Sequence, residues 1–424
     1  MLTRIVNNSD NLTSFVEGLL LDLSEPQKRH LLNLADGLLV CEDEKTLAAL
    51  QRQFIEAADA SNWADFLRIS PWNVEDARAR LRRSQLKWLI AEAERRQLAK
   101  VIFVNIDDSI GEKDKQTSQM EPVDWHHDHN ESTKNKPKFK KGVCYLACTV
   151  CIGELVATVD LRLYLREKTV RRINRQRTKE QCIPFRSKIS LAQQILRELQ
   201  PHLPKGWTVY VQFDSWYAAE PLLKFVHRQG WHVTCGLKCN RKLNDVRLDQ
   251  LASALRHKHY MKVRVAAADG NTSTYYVRIQ KGRLVDVPFD VRVLISKRHP
   301  REQSPAYFMS TDLARTPQWL LRGYRRRWSC EVDNFYLKTQ LGLADFRVRS
   351  YEAVDKYLVV VLLTWAFVES QFTHTDDPQI KNYGDVIRRH RDEHAHRWLS
   401  AALDLMQQTA DKQLVLHRFL RLAA

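Results

Sequence analysis

Acidic residues are in short supply in this chain: 50 Asp and Glu face 67 Lys and Arg, leaving a formal charge of +17. Such a deficit points to a polyanionic partner, nucleic acid first. Glycine and proline are scarce as well, 13 of each in 424 residues. With no low-complexity linker and no repeat period, extensive disorder and repeat architectures are excluded, and domains are expected to join through short connections. No long apolar run occurs either. The longest, "YLVVVLLTWAFV" from Tyr357 to Val368, falls well short of the roughly 20 residues that span a bilayer, so it reads as a buried helix and a membrane partner is not expected. The N-terminus has no charged region leading into an apolar core and a small-residue cleavage site, and the eight cysteines then suggest reduced thiols in a cytoplasmic setting.

What is present is enough apolar sequence, 44%, for two or three domains with a sizeable core. Within residues 1–98 the apolar positions recur at helical spacing from residue 12 to about 98, with Ser24, Asp43 and Ser70 (followed by Pro71) as expected N-caps. This reads as a helical N-terminal, DNA-binding domain. At residue 99 the pattern changes to buried strands, a hairpin around Ile152 and Gly153, and then helix, strand, helix, strand to residue 240. Residues 241–316 alternate like a β-rich insertion. Helical period resumes over 317–371, with Thr316 as N-cap and Pro317 in the first turn, and continues through a helical C-terminal region, 372–424.

Two acidic sites follow apolar strand runs: Asp107 and Asp108 after "VIFVNI", and Asp214 after "WTVYVQF". Parallel strands of an open α/β sheet end on a common edge where ligands gather, so carboxylates there can converge; a lone strand-end Asp is more often a cap or turn residue. A third acid lies in "YRRRWSCEVDNFYLK". On one helix advancing about 100° per residue, Tyr324, Arg327, Glu331 and Lys338 fall at roughly 0°, 300°, 340° and 320°, a single stripe, with Phe335 placed to root it beside the sheet. An Arg327–Glu331 pair at i, i+4 could be a weak surface ion pair, but the Tyr and Lys on the same face suit a groove that receives a phosphodiester. Three carboxylates near a phosphate repel one another unless cations intervene. Two Mg²⁺ ions fit that oxygen-only set, with Mn²⁺ as a substitute, one activating the attacking oxygen and the other stabilising the leaving one.

At these residues the chain resembles the DDE-type transposases of bacterial insertion sequences, in the branch marked by Tyr, two residues, Arg, three residues, Glu, six residues, Lys. Tyr324, Arg327, Glu331 and Lys338 meet that signature in full. "NIDDS" and "FDSWYAAEPLLKFVHRQGW" look like the family's two aspartate blocks, and the resemblance covers roughly residues 100–370. It implies a ribonuclease H-like α/β fold, a mixed sheet flanked by helices and interrupted by a β-rich insertion before the last catalytic helix. It also implies roles. Asp107 (with Asp108 as the alternative), Asp214 and Glu331 would hold the metal, water would cut at the transposon end, and the freed 3′-hydroxyl would attack target DNA. Arg327 and Lys338 would grip phosphates, and Tyr324 would position the strand or stack on a displaced base. Double-stranded DNA, comprising terminal inverted repeats and target, is the implied partner of a homodimer or larger assembly at the bacterial nucleoid. A domesticated non-catalytic DNA-binding protein, or a nuclease of this fold that cuts without joining, are the alternatives.

Two basic stretches suit a DNA backbone. "KNKPKFKK" (134–141) carries five lysines, Lys138, Lys140 and Lys141 among them, and residues 162–188 hold ten basic residues against two acidic, including Arg171 and Arg172. "WHHDH" (125–129) with Cys144, Cys148 and Cys151 does not have the paired spacing of a structural zinc site, so His126, His127 and His129 read as an exposed loop and Cys235 and Cys239 as small packed hydrophobes. Trp216, Tyr275 and Tyr276 remain candidates for stacking on a base.

Overall fold

A ten-stranded sheet organises the computed structural model, which describes residues 4–56, 59–128, 132, 136–266 and 272–420. Helices α1 (Asp10–Gly18), α2 (Glu25–Val40), α3 (Leu47–Gln51), α4 (Ala60–Arg68) and α5 (Val74–Arg95) come first. The Ser24 amide donates to Gln27 Oε1 at the start of α2 (2.8 Å). The other two expected caps are displaced. Thr46, not Asp43, caps α3, and Asn73, not Ser70, caps α5 by accepting from the amides of Glu75 and Asp76. The residue before a proline is driven out of helical conformation, and here the helix waits two residues beyond Pro71 for a side chain that can satisfy its free amides.

The sheet then begins with β1 (Val101–Glu112), β2 (Asp124–His127), β3 (Phe139–Ile152) and β4 (Leu155–Tyr164), followed by α6 (Glu167–Asn174), α7 (Lys188–Leu199), β5 (Thr208–Phe213), α8 (Glu220–Arg228) and β6 (His232–Leu237). β5 pairs parallel with β1 and β6 parallel with β5, whereas β3 pairs antiparallel with the other edge of β1 and with β4. That order, β4–β3–β1–β5–β6, is a ribonuclease H-like sheet. A small ladder, β7 (Lys242–Leu243) and β8 (Val246–Arg247), and α9 (Leu248–Ser253) follow. The β-rich stretch contributes β9 (Met261–Ala266), β10 (Thr272–Gly282), β11 (Val291–Lys297) and β12 (Ala306–Ser310). These strands extend the same sheet, since β12 pairs with β6 and the order runs on through β11 and β10 to β9.

The C-terminal part holds α10 (Pro317–Tyr324), α11 (Trp328–Thr339), α12 (Tyr351–His374), α13 (Tyr383–Thr409) and α14 (Lys412–Phe419). Thr316 caps α10 as expected, accepting from the Trp319 amide. The run Tyr357–Val368 lies within α12 and is buried from end to end. Each large apolar side chain there contributes about 1.5–3 kcal/mol by leaving water. One apolar cluster joins α12 to α2, α4 and α5 and to one face of β3 and β4, through residues such as Leu34, Trp63, Leu81, Leu161 and Trp365. A second fills the opposite face of the sheet, where Ile102, Val104 and Ile106 of β1 and Val209, Val211 and Phe213 of β5 meet α7 and α8. Among the described residues no helix is long and apolar enough to cross a membrane.

Candidate active site

The side-chain period of a strand is two, so β1 and β5 sort their residues cleanly between the faces. With Ile102, Val104 and Ile106 committed to the α7–α8 side, Phe103, Asn105 and Asp107 face α11. On β5 the same alternation sends Tyr210, Gln212 and Asp214 to that side. The parallel register pairs Asn105 with Gln212 as its last step. Two residues beyond that pair, Asp107 continues along β1 while Asp214 stands just past the end of β5, and both line one cleft. Asp107 and Asp108 are not at the end of a strand, contrary to expectation. β1 continues to Glu112 against β3, and what stops near the aspartates is only the pairing with β5.

The helix that carries the third acid is broken. The expected single helix divides into α10 and α11 across a 3₁₀ turn at Arg325–Arg327. Asn105 secures the break: its Nδ2 donates to the Arg326 carbonyl and to Ser329 Oγ, both at 3.1 Å. From that turn Arg327 Nη1 reaches Asp107 Oδ2 (2.7 Å) while Nη2 reaches Glu331 Oε1 (3.0 Å). One guanidinium therefore bridges two of the acids. Burial pushes the Asp107 carboxyl upward and Arg327 counters it, but the charges of Asp108, Asp214 and Glu331 raise it further, to about 7.

The buried side of α11 is Cys330, Asp333, Asn334 and Leu337. Asp333 Oδ2 accepts from the hydroxyls of Thr149 (3.0 Å) and Thr158 (2.9 Å), and Asn334 Oδ1 accepts from Tyr145 (3.1 Å). These polar contacts with β3 and β4 fix the rotation of the helix. Phe335 does not root it, being 59% exposed on the flank. Glu331, Phe335 and Lys338 instead line a cleft of about 430 Å³ together with Asp107, Asp108, Asp214 and Arg327. Lys338 forms no ion pair among the described residues, and burial lowers its pKa. Tyr324 sits behind Arg327, whose guanidinium lies 5.8 Å from the ring centre, and its hydroxyl donates to the Phe213 carbonyl (3.3 Å), the residue before Asp214. A Cβ at Gly236 would come within 3.4 Å of that hydroxyl, so the small residue on β6 leaves it room. The ring is packed rather than presented to a displaced base.

Asp108 points to the other face. Its Oδ2 pairs with Lys188 Nζ (2.6 Å) and its Oδ1 accepts from Tyr217 (2.7 Å). Neither partner was singled out from the sequence, although Lys188 begins α7 and the alternation already sends residue 108 away from residue 107. Trp216 is 37% exposed at the rim, with Lys188 Nζ 5.2 Å from its ring centre.

Of the basic residues, Lys140 lines the cleft and pairs with Glu112 (2.9 Å) and Asp128 (3.1 Å). Lys138 is exposed immediately before β3 and does not line the cleft. Lys141 donates to the Lys115 carbonyl. Arg171 is exposed beside Glu167, and Arg172 donates to the carbonyls of Glu121 and Val123, so neither reaches the cleft. Lys134 and His129 lie outside the described residues. His126 is not in an exposed loop: it is buried on β2, which lowers its pKa to about 4. Cys144, Cys148 and Cys151 are buried in β3, and Cys239, expected to pack, is exposed.

The cleft is lined by six carboxylates against four cationic side chains, acidic in a chain that is basic overall. Beneath the acids, Asn105 Oδ1 and both amide atoms of Gln212 are buried without partners among the described residues. A phosphodiester entering this surface meets like charge. The oxygen-only donor set and the elevated Asp107 carboxyl fit a hard divalent cation, which would supply the missing positive charge.

Two known families match the chain. Residues 186–367, which include Asp214, Arg327, Glu331 and Lys338, match the family described as Transposase DDE domain. Residues 19–264, which include Asp107 and Asp214, match the family described as DDE superfamily endonuclease. No curated protein matches the chain.

Proposed function

This chain belongs to the DDE superfamily of endonucleases, and from that premise we propose that it is a transposase that cuts DNA at the ends of a mobile element and joins the freed 3′-hydroxyl to target DNA. The observation that carries the reading is that Asp107 of β1, Asp214 just past the adjacent parallel strand β5 and Glu331 line one cleft, with Arg327 tying Asp107 to Glu331. Dependence on a divalent metal follows from the family. Asp107, Asp214 and Glu331 are the residues that would hold it, Mg²⁺ or Mn²⁺ as a pair, and the bound ions would supply positive charge for the attacking and leaving oxygens of the phosphodiester.

The chain's own residues divide the remaining work. Asp214 is oriented by the amides of Trp216 (2.9 Å) and Tyr217 (3.3 Å), both of which donate to Oδ1, so Oδ2 is not engaged by them. Arg327 bridges Asp107 and Glu331 in free protein, and it can turn a donor toward phosphate when DNA enters. Lys338, seven residues or about two turns along the same helix, offers a partly desolvated ammonium to a backbone phosphate further along the cleft. Tyr324 acts indirectly, bracing Arg327 and the strand end that carries Asp214.

The test uses labelled duplexes from the DNA flanking the protein's own reading frame, with a target plasmid. Wild-type protein is expected to nick the element end with Mg²⁺ and not with EDTA, and to yield end–target joints. Glu331→Gln should abolish nicking while retaining the mobility shift. Nicking without joints would leave a nuclease that does not transfer strands; no metal-dependent nicking at all would refute catalysis.

A further inference from the structure

A second cluster of metal-ligating side chains lies outside the cleft, where α2 meets α13. Asp36 of α2 is fully buried, and His390 and His394, one turn apart on α13, are 5% and 1% exposed. Both imidazoles direct Nε2 at the same carboxylate oxygen: His390 at 2.7 Å and His394 at 2.9 Å from Asp36 Oδ1. The other oxygen, Oδ2, accepts the backbone amide of Ser9 (2.9 Å), which fixes the carboxylate against the two histidines. Among the described residues no Lys or Arg pairs with Asp36. Two more polar atoms at this junction are buried without partners, Ser9 Oγ beside the carboxylate and His394 Nδ1.

The positive charge at this junction has to come from an imidazolium or from a bound cation. If each imidazole is neutral and donates to Asp36, a full negative charge remains buried with no cation against it, a state that costs several kcal/mol in proteins. The geometry points to a structural Zn²⁺-type site made by His390 Nε2, His394 Nε2 and an Asp36 carboxylate oxygen, clamping the N-terminal helices to the C-terminal helix. Zinc bonds of roughly 2.0–2.1 Å at tetrahedral angles separate ligand atoms by about 3.3 Å, so each histidine nitrogen needs to draw back from Asp36 Oδ1 by only about half an ångström. Imidazole donors select zinc, cobalt or nickel over magnesium, so this site differs in chemistry from the carboxylate cleft and does not depend on how the cleft is read.

The full-length wild-type protein is stripped with chelator and titrated with Co²⁺ in excess Mg²⁺. The expected result is one tightly bound equivalent with the intense visible absorption of tetrahedral Co²⁺, displaced by one equivalent of Zn²⁺, and a thermal midpoint several degrees higher with Zn²⁺ than with chelator. Glu331→Gln should leave all three readings unchanged, while His394→Ala and His390→Ala should each abolish the absorption. If either histidine variant fails to fold, the wild-type titration still decides. Absence of a tight Mg²⁺-resistant equivalent, or an absorption lost in Glu331→Gln, would overturn the site.

Discussion

Replacing Arg327 by alanine should destabilise metal-free protein in a way that grows with pH. The guanidinium is 15% exposed and reaches Asp107, itself 18% exposed, at 2.7 Å. At an effective dielectric of about 20, such a pair is worth at most about 4 kcal/mol. Its second partner, Glu331, is 41% exposed, so that arm contributes no more than a few tenths of a kcal/mol. The Asp107 carboxyl sits at about 7 in the fold against 3.8 ordinarily, so the fold holds a proton that the unfolded chain releases. Stability from that proton is therefore complete below about pH 4 and is lost as pH climbs to about 7 in the wild type. Without Arg327 the carboxyl rises further, and the loss continues beyond 7. At about pH 6 both proteins keep the proton, and the variant lacks only a hydrogen bond, about 1 kcal/mol. Each pH unit above 7 then adds up to about 1.4 kcal/mol, for a deficit of about 3 kcal/mol near pH 8.5. Urea denaturation in EDTA at those two pH values measures it, and Mg²⁺ should close most of the gap by taking over the charge. A deficit equal at both pH values would refute the account, because it would mean that Arg327 does not hold Asp107.

The two aspartates of the doublet should separate. Asp107→Asn is expected to eliminate metal-dependent nicking, whereas Asp108→Asn should retain it but lose about 2–4 kcal/mol in chemical denaturation, since Lys188 is left largely buried without its partner; the reverse pattern would exchange their roles. Lys338→Ala should weaken binding to element ends by about 1–3 kcal/mol and lower its salt dependence, measured by mobility shift over a salt series. Unaltered affinity and slope would remove Lys338 from the interface. His126, whose pKa burial lowers to about 4, resists a proton that the unfolded chain accepts near 6.5. Its contribution is present above about 6.5 and is lost as pH falls toward 4, by up to about 1.4 kcal/mol per unit. His126→Asn should flatten that acid limb of the thermal stability profile, and identical limbs would contradict the burial of the ring.

Much of this was written in local patterns. Apolar runs located β1 and β5, and helical period located α12 and the region around Glu331, because one strand or one helix turn repeats over a few residues. Where the pattern was incomplete, a contact from elsewhere in the chain had decided the outcome. β1 passes its aspartates because β3 continues to pair with it after β5 has turned away. The helix divides at Arg325–Arg327 because Asn105, more than 200 residues earlier, bonds the turn. Phe335 is exposed because α11 anchors itself through Asp333 and Asn334 to hydroxyls on β3 and β4, polar contacts invisible to a search for apolar periodicity.

From the sequence by itself came the residue types and their spacing: an acid after each of two buried strands, and Tyr324, Arg327, Glu331 and Lys338 at intervals that signal the family. Only the tertiary structure decided which of those groups face one another, sending Asp107 to Arg327 and Asp108 to Lys188, and bringing Asp36 to two histidines some 350 residues away. Spacing within an element is set by backbone geometry that each segment carries with it. Which faces meet is set by strand register and the burial of distant surfaces, a choice made only when the whole chain packs.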